Sequence, residues 1–161
     1  MGMTVHVSSP LLARLLAQAA QTPRLEICGL LFGSATAIDD AVACANVSPH
    51  PQDSFEIDPQ ALLAAHRSAR GGGPRLIGHY HSHPDGLPIP SARDAQASAG
   101  DGALWLILGS GEARCFRAVS GGAVEGAFER VRLDVTQGAC AGQDASPQGG
   151  SLNSRLGAFP A

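Results

Sequence analysis

The chain has 161 residues, 44% of them hydrophobic, which suits one domain built around one ordinary core. With 11 basic and 14 acidic residues the formal net charge is -3, and no basic run occurs, so nothing marks the chain as a nucleic-acid binder. No segment reaches membrane-spanning length without charge, and the apolar run 11–20 has no Lys or Arg before it and is broken by Arg14, unlike an export signal, so a soluble cytoplasmic protein is expected.

Residues 4–7 alternate like a short strand. Ser9 and Pro10 read as N-cap and first residue of an amphipathic helix to about Gln21, with Leu11, Leu12, Leu15, Leu16 and Ala19 as its apolar stripe. Residues 26–34 are apolar on both faces, as in a central strand, and 41–47 read as its neighbour after a turn at Asp39-Asp40. Residues 48–53 form a loop, and Phe55 and Ile57 a short strand. Asp58-Pro59 opens a second helix with Leu62, Leu63 and His66 on one side, and Gly71-Gly72-Gly73-Pro74 ends it.

Residues 77–94 concentrate the chemistry, because three of the six histidines, His79, His81 and His83, fall within five residues. Side chains at i and i+2 of a strand share a face about 6.5–7 Å apart, so His81 and His83 can converge on one small ion. Pro84 stops the strand, Pro88 and Pro90 keep the next turn extended, and Ser91 is a preferred helix N-cap, which places Asp94 at N3, able to return to the histidine pair. Two imidazoles and a carboxylate leave a tetrahedral Zn²⁺ with a fourth position for water, the pattern of a catalytic site. His79 shares the face of the other two, so spacing alone leaves a three-histidine site open. His6, His50 and His66 read as non-ligands.

Gly100-Asp101-Gly102 marks the end of the Ser91 helix, and 103–108 is a nearly continuous buried strand. Residues 113–119 and 123–135 read as two further strands joined by Gly121-Gly122. The element order gives an α/β fold of a single domain, a mixed sheet flanked by helices, over residues 1–136. Beyond about Gln137 the composition turns to Gly, Ala, Ser, Gln and Pro, and 137–161 is expected to be a disordered tail. Cys28, Cys44, Cys115 and Cys140 are scattered, which suggests neither a disulfide framework nor a zinc knuckle and fits a reducing compartment. Cys28 lies two residues after Glu26 and would line the same wall if strand geometry has begun there.

The run His81-Ser82-His83-Pro84, followed by Ser91 and Asp94, resembles the signature of the JAB/JAMM (MPN+) zinc metallopeptidase family. That family's second element, a glutamate upstream in a short hydrophobic setting, is similar to Glu26-Ile27-Cys28-Gly29-Leu30-Leu31-Phe32-Gly33. The resemblance covers residues 3–135 and points to the stand-alone prokaryotic type. It implies a cytidine-deaminase-like α/β fold, Zn²⁺ held by His81, His83 and Asp94, Glu26 as general acid/base, and Ser91 as a donor to the oxyanion.

The same resemblance implies hydrolysis of peptide or isopeptide bonds at the C-terminal Gly-Gly of ubiquitin-like or sulfur-carrier proteins. A Gly-Gly tail, lacking side chains, suits an added strand along a sheet edge leading into a narrow cleft. Two other readings compete: a non-catalytic scaffold of the same fold, and a cysteine hydrolase with Cys28 as nucleophile and a histidine as base.

Overall fold

Alternation along one strand explains how the molecule is layered. In β5 (Asp101–Gly109), Leu104, Leu106 and Leu108 join one buried cluster and Trp105 and Ile107 another, as the period of two demands of a strand covered on both faces. The first cluster gathers Val5, Val7, Leu31, Tyr80 and Cys115 under Leu11 and Leu15 of α1 (Ser9–Gln21). The second joins Phe116, Ala118 and Phe128, with Ala95 and Phe55 packed against it. This computed structural model describes residues 2–84 and 86–138.

Among the described residues seven strands form one mixed sheet: β1 (Thr4–Ser8), β2 (Cys28–Ser34), β3 (Ala37–Cys44), β4 (Leu76–Ser82), β5, β6 (Glu112–Val119) and β7 (Phe128–Thr136). Their order is β1-β3-β2-β4-β5-β6-β7, and β1 pairs with β7 to close a barrel. The pairs β1–β3, β1–β7 and β4–β5 are parallel and the others antiparallel. The flanking helices are α1, α2 (Pro59–Arg70) and α3 (Ala92–Ala97). The mixed sheet with helices follows the sequence reading, but its closure was not anticipated. Each strand has a partner on both sides, although the β1–β3 seam is only two residue pairs long. Beyond that seam, β3 from Asp39 to Cys44 has no strand partner on its outer side among the described residues.

Several boundaries differ from those read in the sequence. Ser8, not Ser9, caps α1, its side chain accepting from the Leu11 N–H. Glu26 lies before β2, which begins at Cys28. The β2–β3 turn is at residues 35–36, and Asp39 and Asp40 lie within β3, where they face solvent and Asp40 meets Arg14 at 3.3 Å; strand pairing overrides the turn preference of the two aspartates. Ile57 makes one isolated bridge, to Asn46, in place of a short strand. Leu62 and Leu63 of α2 remain exposed, and Ala65 is that helix's buried residue. α3 ends at Ala97, so Asp101 and Gly102 start β5, with Gly100 at φ 64° making the turn. β7 starts at Phe128 because 123–127 are taken up by a turn with Glu125 and Gly126 at positive φ. Residues 139–161, most of the expected tail, lie outside the described residues, as does Cys140.

β4 sits between β2 and β5, and its last residues are set by both neighbours. Cys28 faces His81 on one side and Ile107 faces it on the other. Gly78 permits this close approach, since a Cβ there would collide with the Leu104 carbonyl of β5. Gly78→Ala is expected to cost about 2–3 kcal/mol by overpacking against backbone, read as a lower midpoint in urea denaturation.

Candidate metal centre

The end of β4 is tied to the segment that carries Glu26. The Ile27 N–H donates to Ser82 Oγ at 2.9 Å and the Ser82 N–H donates to the Ile27 carbonyl at 3.1 Å. His83 follows the last β4 residue, yet its N–H still donates to Leu108 O at 2.7 Å, which extends the strand direction and keeps its ring beside that of His81. Asp94 comes from α3. The Asp94 N–H donates to Ser91 Oγ at 3.1 Å and Asp94 Oδ2 accepts from the Ser91 N–H at 2.8 Å, the reciprocal capping box that the Ser-x-x-Asp spacing predicts.

Three side chains meet there. His81 Nε2 and His83 Nε2 are 3.1 Å apart, His81 Nε2 lies 3.2 Å from Asp94 Oδ1, and His83 Nε2 lies 3.2 Å from Asp94 Oδ2. Ligand atoms around a tetrahedral Zn²⁺ with bonds of about 2.0–2.1 Å sit about 3.3–3.4 Å from one another. The set thus fits a small divalent cation in both donor chemistry and spacing. His83 Nδ1 donates to the Leu87 carbonyl at 3.1 Å, which leaves the Nε2 lone pair facing the cluster. His79 lies outside this group: its ring centroid is 6.4 Å from that of His81 and meets Trp105 edge-on at 4.2 Å. The cluster is therefore two histidines and a carboxylate among the described residues.

Burial and pairing compete at each group. Burial pushes His79 down to about 3 and holds His81 below its ordinary range, with Asp94 opposing in both. Burial also disfavours charge on His83, but Asp94 and the Leu87 carbonyl outweigh it and lift the ring's pKa. For Asp94, burial favours the neutral acid, yet hydrogen bonds from the two imidazoles and the Ser91 N–H hold the carboxyl well below the usual carboxylate range.

Glu26 is positioned by its backbone. Its N–H donates to Pro51 O at 2.7 Å and its carbonyl accepts from Asn46 Nδ2 at 3.0 Å. The side chain is buried, and burial lifts it to about 7, with His83 pulling downward and Asp94 pushing upward. Ser91 is exposed, and because its Oγ accepts from Asp94, its O–H remains free to donate outward. Cys28 pairs across the sheet with His81, so its side chain lies on the face of that histidine, and the Glu26 charge reaches its thiol. Its Sγ donates to the carbonyls of Cys44 and Ala45, at 3.7 Å each, and burial pushes the thiol up to about 12. Such burial disfavours the thiolate a cysteine nucleophile needs, which argues against the cysteine-hydrolase reading. A cavity of about 530 Å³ between α2, β4 and β5 has His79 and Trp105 on its wall but none of Glu26, His81, His83 or Asp94.

Three contributors escaped the sequence reading: Ser82, Asn46 and Phe55. The Ser82 hydroxyl serves backbone geometry, Asn46 acts on residues on both sides of it in sequence, and Phe55 stacks on His81 with ring centroids 4.2 Å apart. None of these roles leaves a spacing that could be read in one dimension.

The raised pKa of Glu26 has a stability consequence. A carboxyl whose folded pKa lies above the unfolded value favours folding below about pH 4.5 and loses that advantage as pH rises through about 7. Metal-free Glu26→Gln should therefore melt higher than the metal-free parent at about pH 8, with the difference fading towards about pH 5, when both are followed by thermal denaturation.

The model for prokaryotic homologs of the JAB domain matches residues 8–119. A desampylase from Haloferax volcanii is 34% identical over 91 residues, covering 55% of this chain and 66% of the relative. From Thermus thermophilus, a "Probable TtuB-protein conjugate cleaving protease" is 31% identical over 119 residues, 71% of this chain and 76% of the relative. Among solved structures, a protein from Desulfitobacterium hafniense superposes with a TM-score of 0.70 at 22% identity, over 83% of this chain and 94% of that one. A structure described as "JAMM: A Metalloprotease-like Zinc Site in the Proteasome and Signalosome" gives a TM-score of 0.53 at 19% identity, over 84% of this chain and 100% of the other. These structural likenesses speak for the fold, and the family match spans most of it: the chain belongs to the prokaryotic JAB/JAMM family.

Proposed function

We propose that the protein is a zinc-dependent peptidase that hydrolyses peptide or isopeptide bonds at the C-terminal Gly-Gly of ubiquitin-like or sulfur-carrier proteins. The observation that carries this reading is the convergence of His81, His83 and Asp94 at 3.1–3.2 Å from one another, with the buried Glu26 carboxyl close enough to feel their charge. A donor set of two imidazoles and one carboxylate, with no thiolate, is of the open catalytic type and suits zinc. Relatives named for removing or cleaving ubiquitin-like conjugates support the substrate class.

His81, His83 and Asp94 would hold the ion. When bound, such a cation supplies Lewis acidity and makes water a nucleophile near neutral pH. Glu26, buried and with a pKa near 7, is suited to accept the proton of the attacking water and return it to the leaving amine. Ser91, with its O–H free at the mouth of the cluster, donates to the oxygen on which negative charge develops. No helix among the described residues is long and apolar enough to cross a membrane.

The reading is tested by incubating the zinc-loaded protein with a ubiquitin-like carrier extended beyond its Gly-Gly and following intact mass. Loss of the extension is expected, abolished by chelator and restored by Zn²⁺. Glu26→Gln should keep the metal and lose turnover by about 100-fold or more. No cleavage by metal-replete protein across several carriers would overturn the reading. Metal content provides a separate check on the ligand set: by elemental analysis, Asp94→Ala should lose the ion whereas His79→Ala should retain it. The reverse pattern would replace the ligand set.

A further inference from the structure

Metal-binding histidines almost always donate their second ring nitrogen to a carboxylate, a carbonyl or a water, which fixes the ring's orientation. His83 follows this rule through the Leu87 carbonyl. His81 does not: its Nε2 faces the cluster, and its Nδ1 is buried with no partner among the described residues. What the ring does have is aromatic packing. Phe55 lies parallel to it, centroids 4.2 Å apart and planes 18° from each other, and Trp105 meets it edge-on at 5.8 Å and 86°. Turning the fully buried imidazole about its Cβ–Cγ bond would drive it into the Phe55 ring.

The Asn46 amide helps to seat Phe55. Asn46 Nδ2 donates to Ser54 O, and Asn46 Oδ1 accepts from the Glu56 N–H, each at 3.0 Å, so one side chain ties both neighbours of Phe55, beside the Val47 N–H to Glu56 O and Ser54 N–H to His50 O bonds of the loop itself. The same Nδ2 donates to the carbonyl of Glu26, and the same Oδ1 accepts from the Ser48 N–H, again at 3.0 Å. Arg93 of α3 adds an exposed tie to the loop, at 3.0 Å from Asp53.

We propose that Phe55, seated by Asn46, is the positioning residue that sets the ring of His81 for metal binding, in the role a hydrogen-bond acceptor on Nδ1 usually fills. The inference rests on the reading of His81 as a ligand, and it concerns a loop that supplies none of the three clustered side chains. It deepens that reading by assigning the 46–56 loop a part in metal affinity. Stacking restrains the ring's rotation without polarising the N–H, so its effect falls on the geometry and strength of the site and not on which atoms bind.

The test uses Zn²⁺ itself as probe, in competition with a chromophoric chelator, on the full chain. Phe55→Leu keeps the apolar volume and loses the flat ring; Phe55→Tyr keeps the ring. Phe55→Leu should bind Zn²⁺ about 10- to 100-fold more weakly than the parent, the range found when an orienting partner of a ligand is removed, and Phe55→Tyr should stay near the parent. The visible spectrum of the Co²⁺-loaded form should change in Phe55→Leu and not in Phe55→Tyr, while the metal-free proteins melt alike. Asn46→Ser, which leaves Phe55 in the chain but frees its loop, should weaken Zn²⁺ binding in the same direction and serves if Phe55→Leu does not fold. Parent-like affinity and spectrum in Phe55→Leu, or equal weakening in Phe55→Tyr, would overturn the proposal. If the parent itself binds no Zn²⁺, the metal-site reading fails instead, so the two failures are told apart by the parent's own titration.

Discussion

The reciprocal pair of hydrogen bonds between Ile27 and Ser82 is the join on which the rest of the site depends. It clamps the residue after Glu26 to the residue between His81 and His83, so a carboxylate and two imidazoles that lie more than fifty positions apart in sequence share one small space. The clamp is itself half backbone, and it works only because β4 runs between β2 and β5 with Gly78 letting the strands close up. Hydrogen bonds of this kind contribute modestly to net stability, about 1 kcal/mol each. Their larger effect is to remove freedom from the groups that must meet.

The electrostatics of the cluster follow from packing four titratable groups into buried space. Asp94 is held ionised by its neighbours, His83 is biased towards its charged form, and Glu26 is biased towards its neutral form. The biases of His83 and Glu26 offset the negative charge that the ionised Asp94 brings into buried space. A divalent cation would meet the same need more fully, and it would do so without demanding protons from the groups that supply the lone pairs. The site is therefore shaped as much by what it must neutralise as by what it can bind.

What was legible in the sequence was what chain geometry makes local. His81 and His83 share a face because strands have a period of two, and Asp94 returns to them because a helix opened by Ser91 places N3 over its own cap. Glu26 was legible only through its resemblance to a family motif, since no local rule links it to β4. Barrel closure escaped because the pairing of β1 with β7 joins Thr4 to Arg132 and is decided by the whole sheet. The Asp39-Asp40 turn failed for the converse reason: a local preference yielded to strand pairing on an exposed face. Cys28 does share a face with His81, but through the pairing of β2 with β4 and not through an unbroken strand from Glu26, since β2 begins at Cys28 itself.

The division of labour between strands and loop follows from these constraints. Ligand atoms that must converge to within a few tenths of an ångström sit at strand ends and on a capped helix, where backbone hydrogen bonds set their places. The 46–56 loop has no ladder of its own beyond one bridge, and it borrows rigidity from the Asn46 amide. That amide also holds the Glu26 carbonyl, and Pro51 O of the same loop accepts from the Glu26 N–H, so the packing against His81 and the placement of Glu26 share this loop. A motion that loosened one would loosen the other. The strands have no such latitude, because shifting β4 by a residue would turn His81 to the wrong face.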